Sequence, residues 1–103
     1  MEKHYFVVLG DNGNRHQSDM VNNLNTLGKV YRILDNLYLL SIPANSKIDD
    51  VEKVRNQIAG KNFGYCMVFS ITSKMSCAWN VNQNSCEQLV ELFKKIVNPD
   101  EKE

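Results

Sequence analysis

KVYRILDNLYLLSIP, residues 29–43, holds two strand-like runs almost back to back. KVYRIL and LYLLSIP are rich in aliphatic, aromatic and β-branched residues, and only Asp35 and Asn36 separate them. Each run is too short for a stable helix. A two-residue Asp/Asn break is turn chemistry, because these side chains bond the nearby backbone and tolerate positive φ. Pro43 has no N–H to give to a ladder and so ends the second strand. The spacing predicts a β-hairpin in the middle of the chain.

The flanking segments follow. Before the hairpin, Met20, Leu24 and Leu27 recur at spacings of four and three, a short amphipathic helix that Ser18 or Asn14 could begin. Gly28 is expected to close it as a left-handed cap. Residues 4–9, HYFVVL, read as the first strand. After the hairpin, SKIDDVEKVRNQIAG (residues 46–60) is the clearest helix, with Ser46 and Asp49 as a capping box and Gly60 at its end. Its predicted buried stripe is Ile48, Val51, Val54 and Ile58. YCMVFSI (65–71) is apolar almost throughout, as befits a strand covered on at least one face.

The order β-α-β-β-α-β predicts an α+β fold, a ferredoxin-like sandwich with both helices on one face of an antiparallel sheet. A C-terminal extra strand and helix are expected beyond it. SCAWNV (76–81) would form the strand. Residues 85–97 would form the helix, opened by a Ser85/Gln88 capping box and carrying Leu89, Leu92, Phe93 and Ile96 on one face. Asn98-Pro99 stops it, and DEKE reads as a frayed tail. The 103 residues fit a single domain, its core over about 4–72 and its extension over about 76–98.

Composition narrows the function. Twelve Lys and Arg balance twelve Asp and Glu, for a formal net charge of zero. Binding along a nucleic-acid backbone calls for a basic excess, and the one adjacent basic pair, Lys94-Lys95, reads as a solvated helix face. No apolar stretch approaches the ~20 residues of a membrane helix. MEKHYFVVLG enters a strand at once, without a secretory signal pattern. Cys66, Cys77 and Cys86 are odd in number and lack C-x-x-C spacing, so they read as reduced thiols of a cytoplasmic protein.

The candidate site residues are few. GDNGN (10–14) lacks the alternating acids of an EF-hand, the third glycine of a dinucleotide fingerprint and the Gly-Lys-Ser/Thr of a P-loop. It reads first as a turn, and second as a strand-to-helix loop whose amides could face an anion. Trp79 is expected to pack in the sheet core, with an exposed stacking platform as the sharper alternative. Tyr31, Tyr38 and Tyr65 could line the open sheet face, although the RNA-binding Lys/Arg-Gly-Phe signature is absent. Cys66 is expected to be buried and inert. His16 has no partner motif for acid–base work.

YFVVLGD, LNTLGKVYRILDNLYLLSI, MVFSIT and CAW together resemble a small ferredoxin-like family, that of the CRISPR-associated adaptation nuclease-like subunit and its short SinR-like relatives. The likeness covers roughly residues 4–81. It implies a homodimer in which an acid at the end of the first strand, here Asp11, holds Mg2+ or Mn2+ with its symmetry mate and supports phosphodiester cleavage. Many members of that family are non-catalytic scaffolds. Gly10 stands where the Tyr-Asp ending would fall, and a one-residue shift on a strand moves a side chain to the other face. Asp11 therefore reads as a turn residue. The expectation is a small cytoplasmic interaction or scaffold protein of this superfamily, dimeric and without efficient catalysis. The alternatives are a metal-dependent endoribonuclease or toxin using Asp11, and a small-ligand regulatory domain.

Overall fold

The computed structural model describes residues 2–10, 17–60 and 64–97. Asp11, His16 and the Asn98-Pro99 stop lie outside them. The contacts group into two units, Met1–Ser70 and Ile71–Glu103.

The first unit runs β1 (Glu2–Leu9), α1 (Gln17–Leu27), β2 (Lys29–Leu34), β3 (Leu37–Pro43), α2 (Val51–Ala59) and β4 (Cys66–Ser70). Its strands form one antiparallel sheet in the order β2-β3-β1-β4. It follows that β1 and β2 run parallel with β3 between them, while β3 and β4 run parallel with β1 between them. Each helix thus links two parallel strands across one intervening antiparallel strand.

The expected hairpin is β2–β3. Its turn is tied down from two sides: Arg32 Nη2 donates to Asp35 Oδ1 at 2.9 Å, and the Leu9 N–H donates to the Asn36 carbonyl at 2.8 Å. Period-2 alternation selects one face of the sheet for the core. Tyr5, Val7 and Leu9 of β1 and Tyr38, Leu40 and Ile42 of β3 are buried with Met20 and Leu24 of α1 and Val54 and Ile58 of α2. Leu27 and Ile48 pack partly buried against this cluster.

Several local expectations are corrected. Val51 is 36% exposed rather than core. It is the first residue of α2, and Ile48 of the preceding loop packs against the cluster instead. The α2 cap is Asp50, whose Oδ1 accepts from the Lys53 N–H at 2.8 Å. Ser46 Oγ accepts from the Ile48 N–H at 3.1 Å, a local turn in place of the capping box. Gly60 does end the helix, at φ 60° and ψ −156°. Gly28 is not left-handed, since Gly60 is the positive-φ glycine among the described residues. A side chain at Gly28 would run into the Ser41 carbonyl, so close approach of α1's end to β3 is what excludes one.

In the second unit the fifth strand is absent: residues 76–81 form no strand. The chain turns just after β4, where the Met75 N–H donates to the Thr72 carbonyl at 3.1 Å. Asn82 then caps α3 (Gln83–Val97), its Oδ1 accepting from the Ser85 N–H at 2.8 Å. The helix therefore starts two residues before the predicted Ser85, and Ser85 is buried. Trp79 is not in the sheet. Its ring lies 5.7 Å from that of Phe93, tilted by 33°. Leu89 and Leu92 are buried, and Lys94 and Lys95 are exposed in the last turn, where cations complement the free carbonyls. No helix among the described residues is long and apolar enough to cross a membrane.

Candidate interaction surface

The register places a second set of residues on the sheet face opposite α1 and α2, where Phe6 and Leu39 are buried and Met67 and Phe69 are exposed. Tyr31, Leu39, Phe6 and Phe69 form one row across all four strands, and Leu37, Val8 and Met67 form the next. His4 and Ser41 are paired at one end of this face, where Nδ1 and Oγ lie 2.8 Å apart in a hydrogen bond whose direction follows the imidazole tautomer. Of the three tyrosines expected here, Tyr31 is present and Tyr38 is not: it is buried in the helix-side core. Tyr65 immediately precedes β4 and is exposed.

β4 is the outer strand of the sheet. Cys66 and Val68 turn inward and pack against the core. Tyr65, Met67 and Phe69 project the other way and are 70%, 60% and 41% exposed. Large apolar groups exposed in a contiguous line mark contact sites, whereas isolated ones carry no such meaning. Residues 64–71, GYCMVFSI, contain no charge.

The Gly10 N–H donates to the Tyr65 carbonyl at 2.8 Å, which extends the β1–β4 ladder by one pair. A Cβ on Gly10 would lie 2.7 Å from that of Tyr65. Gly10 is thus the residue that lets Tyr65 sit across the end of β1. In an antiparallel ladder the hydrogen-bonded residues alternate, so Tyr65, Met67 and Phe69 direct their backbone groups to β1. The N–H and C=O groups of Cys66, Val68 and Ser70 then point outward along the sheet edge.

The other edge, β2, is built differently. It carries exposed Lys29 and Arg32 and a register irregularity between Arg32 and Leu34. Charges and bulges are what keep an edge from pairing with another chain. β2 has both and β4 has neither.

Reactive groups are sparse among the described residues. Burial pushes the Cys66 thiol above its usual range, with the Arg55 charge opposing, so the thiolate is scarce at neutral pH. Burial also raises the Tyr5 hydroxyl, helped by the carboxylates of Asp49 and Asp50. No cluster of three His, Cys, Asp or Glu side chains placed to hold a metal occurs among the described residues. Met67 and Phe69 are the site residues that the sequence concealed: the unbroken apolar run YCMVFSI gives no alternation to tell a covered face from an open one.

No family model, curated protein or solved structure matches the chain.

Proposed function

We propose that this chain is a small interaction or scaffold protein on a ferredoxin-like sandwich, docking a protein partner through β4 and lacking efficient catalysis. The two interleaved crossovers, each helix spanning one intervening strand, support the ferredoxin-like reading. The observation that carries the function is the exposed stripe of Tyr65, Met67 and Phe69 on an uncharged edge strand. An apolar stripe favours a protein partner, whereas nucleic acid calls for clustered basic residues, and the chain is neutral overall. Non-catalytic scaffolds of the CRISPR-associated nuclease-like family, acting as cytoplasmic homodimers, fit this picture.

The runner-up is a nuclease in which Asp11 holds Mg2+ or Mn2+; its carboxylate lies outside the described residues. A photo-crosslinking amino acid at position 67, expressed in cells, tests the leading function. A discrete protein adduct is expected, and no adduct above that formed with the probe at exposed Glu52 refutes a docking role for β4. In parallel, RNA and DNA incubated with Mg2+ or Mn2+ are expected to stay intact. Cleavage that vanishes in Asp11→Asn would install the nuclease reading instead.

A further inference from the structure

We infer that the partner of β4 is a second copy of this chain, joined edge to edge by antiparallel β4–β4 pairing about a two-fold axis at Met67. This rests on β4 being a docking edge and adds the occupant and the register. The pairing is isologous, so the strand must complement itself when reversed.

It does so on three counts. The outward backbone groups of Cys66 and Val68 fall opposite Val68 and Cys66 of the second copy and form two hydrogen-bonded pairs. Between them Met67 faces its own mate at a non-hydrogen-bonded position, where strands approach most closely. Tyr65 then lies opposite Phe69 of the other copy, and Phe69 opposite its Tyr65, so two aromatic pairs flank a methionine pair on one face. The three exposed large apolar residues of the segment are thereby the ones covered. Charge agrees, because a strand with no ionised side chain meets its copy without like-charge repulsion. Pairing two β2 edges would bring the like charges of Lys29 and Arg32 into the seam, so β2 is excluded from the same arrangement.

The test uses the full chain with its native cysteines. Sedimentation velocity at micromolar concentration is expected to show a dimer of the 11.8 kDa chain. Met67→Lys, at a 60%-exposed position, is expected to return it to monomer with an unchanged circular dichroism spectrum. Under mild oxidation Met67→Cys is expected to yield a peptide disulfide-linked to its own copy at position 67, since paired Cα atoms there lie within cystine reach. Three results would each overturn the inference: a monomeric native chain, a dimer that survives Met67→Lys, or a dimer in which position 67 does not link to itself. A monomer that still gives photo-adducts of another mass in cells would leave β4 a docking edge with a different occupant, which separates the two failures.

Discussion

At the scale of single residues, glycine placement records where backbone meets backbone. Gly60 holds φ 60° and ψ −156°, a region that L side chains essentially do not enter. Its N–H donates to the Asn56 carbonyl, closing α2. Gly60→Ala is expected to cost about 1–3 kcal/mol, read from the midpoint of a urea melt. Gly28→Ala should be at least as damaging for a different reason, since its new methyl meets the Ser41 carbonyl rather than a strained dihedral. If both alanine variants melt with the parent, neither glycine is there for its backbone. Gly10 belongs to the same group: it accommodates Tyr65, and so ties the end of β1 to the exposed stripe.

At the scale of elements, burial discriminates within one helix. Val54 is fully buried in α2 and Val51 is 36% exposed at its start. Val54→Ala is expected to lose about 2 kcal/mol through lost burial and a residual cavity, and Val51→Ala about 0.5 kcal/mol or less. Equal losses from the two would mean that the helix is rotated from the packing described. The sequence contained most of this architecture. Hairpin, first strand and helical stripes were legible because each rests on local periodicity and turn residues. Val51 misled because it continues the helical stripe in sequence while lying in the first turn, where Ile48 takes its place against the core. Asn82 and Asp50 were missed as caps because several polar residues precede each helix, and only the backbone path selects among them. SCAWNV has strand composition, but it follows a turn at Thr72–Met75 and forms no strand. The stripe on β4 was hidden for a further reason. An all-apolar strand reads alike whether one face is covered or two, and His4–Ser41 becomes visible as a pair only once register is known.

At the scale of the whole molecule, the two edges of the sheet carry the functional account. One is fenced by Lys29, Arg32 and a bulge, and the other is uncharged and bears Tyr65, Met67 and Phe69. The proposed contact surface is β4. Amide hydrogen exchange followed residue by residue across a dilution series reads that edge directly. Met67 and Phe69 direct their N–H groups inward to β1 and should be protected at every concentration. Cys66 and Val68 point outward, and their protection should rise with concentration and disappear in Met67→Lys. Outward amides that exchange at one rapid rate at all concentrations, in the native chain and the variant alike, would contradict the account.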